Sequence, residues 1–152
     1  KDCQYLSWEN APIGPLLGHA AHLARERMDV RLARYDVTPA QTHVLLYLGE
    51  QSGPTPQRDV VEHLRVKPPT ANGILDRLEE KKLICRRADP EDLRQKRVCL
   101  TEKGRELRVR LQNAFQEGAA LTLHGLSEEE TAVLRGLLNR IIQNLEEDRI
   151  SC

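Results

Sequence analysis

The chain has 152 residues and a formal net charge of zero, because 23 basic residues balance 23 acidic ones. Charged residues make up 30% of it and aromatic residues 3%, a composition that suits one helical domain better than a β-sandwich. No run of about 18 apolar residues and no basic-then-apolar leader occurs, so the sequence predicts neither a membrane span nor a secretory signal, and the cytoplasm is the expected location.

Two helices are predicted in the first third of the chain. Residues 12 to about 35 repeat leucine, alanine and methionine at helical spacing. Thr38 is expected to cap a second helix that starts at Pro39 and ends near Gln51. The Ser52–Pro54 breaker then separates these helices from the next pair.

A helix-turn-helix is predicted next. Residues 56–64 form a short amphipathic helix, and after a turn at 65–67 a second helix begins at Pro68 and runs to about Lys82. Proline suits the first turn of a helix, because it lacks the backbone N–H that would be unpaired there. Two short helices joined by a tight turn are typical of DNA-binding proteins.

The second helix of this pair would enter the major groove by its N-terminal end. Asn72 is the expected base reader, since its amide can pair with both hydrogen-bonding groups of adenine. Thr70 is predicted to contact a thymine methyl or a phosphate, and Arg77 to contact the DNA backbone. The residues that this end is expected to expose are Pro69, Thr70, Asn72 and Gly73.

A basic β-hairpin follows. Residues 83–87 and 96–101 alternate apolar with polar side chains around a Pro- and Asp-rich turn. Ile84, Val98 and Leu100 would pack on the body, and the basic side chains would project outward, with Arg94 and Lys96 at or near the tip. Residues 81–97 include seven basic and three acidic residues, and this local excess of positive charge favours a polyanion as partner. The alternative is a solvated charged tip, which is common on soluble proteins.

Two helices complete the chain. One starts at Thr101 and ends near Leu123, and Ser127 with Glu130 forms a capping box for a last helix that ends near Asp148. That helix carries a broad apolar surface, which we expect the terminal helices of a second copy to cover. Packing wholly inside one chain is the alternative. Two-fold symmetry would place two recognition helices about one DNA turn apart, on a pseudo-palindromic operator.

The motifs together resemble the MarR family of bacterial regulators. They are L-D-R-L-E-x-K-x-L-I at residues 75–84, D-P-x-D-x-R at 89–94 and L-T-E-K-G at 100–104. The resemblance implies a mainly α fold with a small β-hairpin wing, a winged helix-turn-helix in residues 37–101, and dimerisation helices in 1–36 and 102–152. It also implies that Arg94 enters the minor groove, that Asp92 orients it, and that Lys96 and Arg97 contact DNA.

The resemblance further implies a homodimeric repressor without a cofactor, released by a small aromatic or anionic effector. Family effectors bind in the crevice between the dimerisation helices and the DNA-binding lobe, where His19, His22 and His43 are candidate lining residues. A metal site at these histidines is the weaker interpretation, because no H-x-x-x-H or C-x-x-C pattern occurs.

Three positions depart from the family pattern. Leu93 stands where a second tip arginine is usual, Lys82 replaces a glycine at the end of the recognition helix, and Gly73 replaces a basic residue within it. A left-handed glycine commonly ends a helix, and the sequence alone does not predict which conformation Lys82 takes in its place. Fewer basic side chains on the DNA face predict a different distribution of affinity.

The cysteines suggest an alternative function. Cys85 and Cys99 are expected to sit opposite each other across the hairpin, on the face away from Ile84, and an oxidised pair would stiffen or distort the wing. Cys3 is the only cysteine in the N-terminal helical region, where oxidant-sensing relatives carry theirs. A winged-helix protein-interaction module without DNA binding is another alternative. An enzyme is not predicted, because neither a phosphate loop nor a nucleophile elbow is present.

Overall fold

The computed structural model describes residues 7–151, so Cys3 and Cys152 lie outside the described residues. The chain divides into two compact units, residues 1–118 and residues 119–152. The predicted division into a central DNA-binding lobe flanked by dimerisation helices stays a prediction.

The described residues are mainly helical. Their α-helices are α1 (Ile13–Leu32), α2 (Pro39–Glu50), α3 (Gln57–Leu64), α4 (Pro68–Glu80), α5 (Glu102–Thr122) and α6 (Glu128–Ser151). Short 3-10 turns occupy Trp8–Asn10 and Ala33–Tyr35. Across residues 7–151, none of the helices combines the length and the apolarity that a bilayer crossing requires. The predicted mainly α fold with a hairpin wing is confirmed, and α6 extends beyond its predicted end.

The three strands form one antiparallel sheet. They are β1 (Thr55–Pro56), β2 (Ile84–Ala88) and β3 (Lys96–Leu100), in the order β1-β3-β2. The predicted hairpin is confirmed, with Ile84 opposite Leu100 and Cys85 opposite Cys99. The two-residue β1 was not predicted, because two residues are too short for a visible alternation and one of them is proline.

The core of the first unit lies where the helix-turn-helix meets the sheet. Alternation along the hairpin turns Ile84, Val98 and Leu100 inward, as predicted. The largest fully buried apolar side chains are Leu45, Leu75, Leu78, Ile84, Leu111, Val44, Val60 and Val98. The recognition helix α4 is therefore held by its inner face, and its outer face is left for other contacts.

Capping boxes hold two of the helices: the predicted cap Thr38 forms one with Gln41, and the predicted box of Ser127 and Glu130 is confirmed. Thr38 Oγ1 accepts the Gln41 backbone N–H at 3.1 Å, and Gln41 Oε1 accepts the Thr38 N–H at 3.3 Å. Ser127 and Glu130 make the same reciprocal pair at 3.1 and 3.0 Å. The backbone N–H of Ser127 bonds to the Glu130 carboxylate and lowers the pKa of that group.

A single junction connects α4, the wing and α5. Lys82 ends α4 with a left-handed φ of 61°, which answers the question that the missing glycine raised. Its N–H bonds to the Glu79 carbonyl at 2.9 Å, and the Leu83 N–H bonds to the Leu78 carbonyl at 3.0 Å. These two bonds are those of a Schellman motif, formed here without glycine.

The L-T-E-K-G segment contacts the other side of this junction. Thr101 Oγ1 donates to the Lys82 carbonyl at 2.7 Å and accepts the Gly104 N–H at 3.0 Å. The same hydroxyl therefore both fixes the junction and caps α5. Lys103 Nζ donates to the Lys81 carbonyl at 3.1 Å. A Cβ atom at Gly104 would overlap the Leu83 carbonyl oxygen. Glycine is therefore required at 104 for close approach, not for an unusual backbone angle.

We predict that Gly104→Ala lowers the free energy of unfolding by about 2–3 kcal/mol, because the new methyl group must push α5 away from the Leu83 carbonyl. Gly73→Ala is the matched control, since the space beside Gly73 is open. It should stabilise the protein by up to about 1 kcal/mol through helix propensity. Urea titrations of the three proteins measure both effects, and equal midpoints for Gly104→Ala and wild type would contradict the close-approach argument.

Candidate nucleic-acid interface

The N-terminal half of α4 presents the predicted contact residues to solvent. Ala71, Leu75 and Leu78 are buried on its inner face. The side chains that the helix exposes include all five predicted here, namely Pro69, Thr70, Asn72, Gly73 and Arg77. No heavy atom lies within 4 Å of the position of a Cβ on Gly73, so its surface can be approached closely.

A side chain that sequence reasoning missed orients Asn72. Gln57 Nε2, at the start of α3, donates to Asn72 Oδ1 at 3.0 Å. A carbonyl oxygen has two lone pairs, so Oδ1 can still accept a second bond from a base. The contact thus positions the amide without blocking it. The only sequence signal was a polar residue at the start of the first helix of the pair.

The wing tip is a tight, hydrogen-bonded loop. The Asp89 carboxylate accepts the Glu91 N–H at 3.0 Å, and the Asp92 carboxylate accepts the Arg94 N–H at 3.1 Å. The Gln95 N–H closes the loop onto the Asp92 carbonyl at 2.9 Å. Asp92 therefore acts on the Arg94 backbone, whereas the resemblance implied only that it orients the arginine. The Arg94 side chain is exposed.

Arg97 differs from the other wing residues that were predicted to contact DNA. Its Nε donates to the Asp89 carboxylate at 2.9 Å, across the base of the tip. The Glu91 N–H and then Arg97 hold the pKa of Asp89 below its ordinary value. Since β-strand neighbours point to opposite faces, Arg97 and Lys96 do not share a face. Arg97 is engaged in shaping the wing.

One open groove between α4 and the wing brings several predicted residues together. Its lining side chains are Gln57, Asn72, Asp76, Arg86, Arg94, Gln95 and Lys96. Asn72, Arg94 and Lys96 were predicted contacts, and the other four were not. The groove thus combines an amide suited to base edges with two exposed cations suited to phosphates.

Arg86 holds the wing against the recognition helix. Its guanidinium, only 11% exposed, lies against the carboxylates of both Asp76 and Glu79. It donates to Glu79 Oε2 at 3.3 Å and Oε1 at 3.2 Å, and it also donates to Asp76 Oδ1. Its hydrogen bonds to Glu79 lower the pKa of that carboxyl group and raise the pKa of Arg86. We call these three residues the wing clamp.

Internal bonds reduce the basic excess that was counted from the sequence. Arg86 and Arg97 are paired with acids, and Lys81 Nζ donates to the Asp36 carbonyl at 2.6 Å and to Gln41 Oε1 at 3.0 Å. The expectation that the bases of this segment project outward is therefore wrong for Arg86. Arg94 and Lys96 remain exposed in the groove.

The candidate effector histidines have separate surroundings. His19 stacks on Trp8 with ring centroids 4.1 Å apart, and His22 and His43 are exposed. Within residues 7–151, no three His, Cys, Asp or Glu side chains are grouped to hold a metal ion. A different histidine, His63, stacks on Tyr47 at 4.0 Å and so joins α3 to α2.

Cys85 and Cys99 face each other across the hairpin, as predicted. They form a disulfide, and their Cα atoms are 5.5 Å apart. Both side chains are partly buried on the face opposite Ile84. The bond crosslinks β2 to β3 between the wing clamp and the core.

Comparison with known proteins identifies close relatives. A model described as MarR family matches residues 35–95. The chain is 31% identical to Staphylococcus aureus MepR in the crystal structure of its DNA complex, with a TM-score of 0.76, covering 89% of this chain and 99% of that one. For a probable transcriptional regulator from Pseudomonas aeruginosa the values are 32%, 0.72, 87% and 98%. For MepR bound to ethidium bromide they are 30%, 0.64, 90% and 99%.

We predict that Arg86→Gln loosens the wing from α4 and lowers the protection of wing amides from hydrogen exchange by about 1 kcal/mol, a value reduced by the exposure of the two acids. Arg87→Gln is the matched control, because Arg87 is exposed one residue farther along β2. Since pairing lowers the pKa of Glu79, the clamp is complete at neutral pH and weakens as the pH falls through that lowered pKa. Equal protection in both variants at neutral pH would refute the clamp.

Proposed function

The chain belongs to the MarR family of transcription regulators, and from this premise we propose that it is a cytoplasmic, homodimeric DNA-binding repressor released by a small molecule. Its relatives are regulators and not enzymes. The observation that carries the proposal is the groove in which Asn72 lies beside Arg94 and Lys96, all exposed. Base-reading and phosphate-binding groups share one surface there, as recognition of duplex DNA requires.

Each contact residue has a distinct proposed role. Asn72, oriented by Gln57, reads an adenine in the major groove. Thr70 contacts a thymine methyl or a phosphate, and Arg77 contacts the DNA backbone. The bare backbone at Gly73 lets the helix lie close to the bases. Arg94 enters the minor groove, where narrow A·T-rich segments attract arginine. The MepR–DNA complex supports the proposal of DNA binding, because that 31% identical relative binds DNA.

Dimerisation is proposed from the surface of α6. This helix leaves a series of large apolar side chains exposed, namely Val133, Leu134, Leu137, Ile142 and Leu145. Soluble proteins rarely leave so many apolar side chains on one helix in water, and a second copy of the same helix is the simplest cover. A two-fold dimer would present two α4 helices to successive major grooves, so the operator would be an inverted repeat.

A small aromatic effector is the proposed release signal. The relative bound to ethidium bromide supports the aromatic alternative of the two that the resemblance implied, since ethidium is an aromatic cation and not an anion. His19, His22 and His43 are the proposed lining residues. A ligand releases the operator only if it binds the DNA-incompetent arrangement more tightly than the DNA-binding one.

The alternative of a protein-interaction module without DNA binding is disfavoured, because Arg94 is present and exposed.

Oxidant sensing is a second candidate function, which the Cys85–Cys99 bond favours. A peroxide would oxidise the two thiols in two steps. One thiolate attacks hydrogen peroxide and becomes a sulfenic acid as hydroxide leaves, and the second thiol then attacks the sulfenic sulfur to form the disulfide with loss of water. Cytoplasmic disulfides are usually transient or redox-sensing. Here the bond would change the shape of the hairpin that carries Arg94.

We predict that the purified protein enriches an inverted repeat from a random duplex pool, with affinity that falls steeply between two salt concentrations. Asn72→Ala should cost about 1–3 kcal/mol at one base position. Arg94→Ala should weaken binding and reduce the preference for A·T pairs near the wing. Arg25→Ala, which removes the same charge from α1, is the control. Unchanged titrations for both groove variants would defeat the proposed contacts.

We also predict that a thiol reductant changes the affinity for the selected operator by several-fold, because it releases the crosslink between β2 and β3. Cys85→Ser should bind with one affinity in both conditions, since it has no bond to reduce. Peroxide should restore the oxidised behaviour of the wild type alone. Identical wild-type titrations in reductant and peroxide would exclude the redox function and leave the repressor proposal intact.

A further inference from the structure

Leu93 lies in the loop at the tip of the wing, and its side chain is not packed in the hydrophobic core. Its side chain is 81% exposed, the highest value among the large apolar side chains of residues 7–149. The position is remote from the hydrophobic core, whose member nearest to the tip on β3 is Val98. Single exposed leucines are common on proteins, so exposure alone does not indicate a contact. The surroundings of Leu93 provide the further argument.

The backbone on both sides of Leu93 is fixed. The Asp92 carboxylate accepts the Arg94 N–H, and the Gln95 N–H bonds to the Asp92 carbonyl at 2.9 Å. On the other side, the Asp89 N–H bonds to the Gln95 carbonyl at 2.9 Å, and Arg97 anchors Asp89. The tip therefore holds an apolar side chain and a guanidinium next to each other, with much of the ordering of the backbone already complete before any partner binds.

We propose that Leu93 is an apolar wedge that inserts against a base-pair step in the minor groove beside Arg94. The inference rests on the proposed DNA binding and names a residue that determines specificity within it. Proteins that enter the minor groove use leucine in this way, because partial unstacking of one step exposes base faces that cover the apolar side chain. The adjacent Arg94 supplies the attraction that brings the tip to the groove.

The chemistry of a wedge predicts which sequences it prefers. Pyrimidine–purine steps such as TA and CA are the easiest to unstack, so Leu93 would select them although it forms no hydrogen bond with any base. A basic residue at the same position would add affinity without this preference. The replacement of a second tip arginine by leucine thus exchanges charge for a shape-dependent reading of the operator.

The test uses the operator selected by the full-length protein, with 2-aminopurine placed at the step under the wing. Unstacking raises the fluorescence of this base. We compare wild type with Leu93→Gln, which keeps the length and loses the apolar character, and Leu93→Met, which keeps both. Wild type and Leu93→Met should raise the fluorescence. Leu93→Gln should not, and it should bind about tenfold more weakly and lose the preference for TA and CA steps.

The outcomes separate this inference from the function on which it rests. If wild type binds an inverted repeat but Leu93→Gln matches it in fluorescence, affinity and step preference, the wedge is overturned and the repressor proposal stands. If Leu93→Gln loses affinity with no fluorescence change in any protein, the side chain only packs on sugars, and the wedge is also overturned. If wild type selects no sequence, DNA reading fails and a protein partner for the tip takes its place. Equal melting temperatures confirm that every variant folds.

Discussion

The close approach of Gly104 to the Leu83 carbonyl is the constraint on which the DNA-facing surface depends. Three consecutive residues, 81 to 83, end the recognition helix and start the wing, and all three of their carbonyl groups accept bonds from the segment 101–103. Helix α5 therefore begins at the point where α4 stops. A small displacement here would rotate the wing relative to α4, because the two diverge from this junction.

The wing clamp provides the second connection between these elements. The junction holds the chain at Leu83, immediately before β2, and Arg86 holds β2 again three residues later through Asp76 and Glu79 of α4. Two attachments along β2 fix its angle to α4, whereas a single attachment would let the strand pivot relative to the helix. Ion pairs between partly exposed groups contribute little to stability, so the main effect of the wing clamp is to orient the wing on α4. It helps to set how far Arg94 lies from Asn72, the two residues that we propose to contact neighbouring grooves of DNA.

Periodicity and capping signals were sufficient to predict the helices and the hairpin, since these depend on neighbours in sequence. Ile84 and Val98 on the inner face, the helix cap at Thr38 and the capping box at Ser127 illustrate this. Contacts between distant residues could not be predicted in the same way. Strand β1 exists because β3 has a free edge, and Gln57 reaches Asn72 because the turn between α3 and α4 folds it there. Counting charges also failed for Arg86, whose acidic partners lie on another element.

The charge balance explains why geometry matters so much in this protein. A chain with zero net charge has no general attraction for DNA, and internal bonds withdraw Lys81, Arg86 and Arg97 from the basic segment. Few cations then remain for phosphates, and each phosphate contact contributes to affinity mainly through counterion release. In the proposed dimer, affinity would come from contacts made at once by α4 and the wing, and from two copies acting on one operator. Such a reader depends on rigid spacing, which the junction and the wing clamp supply.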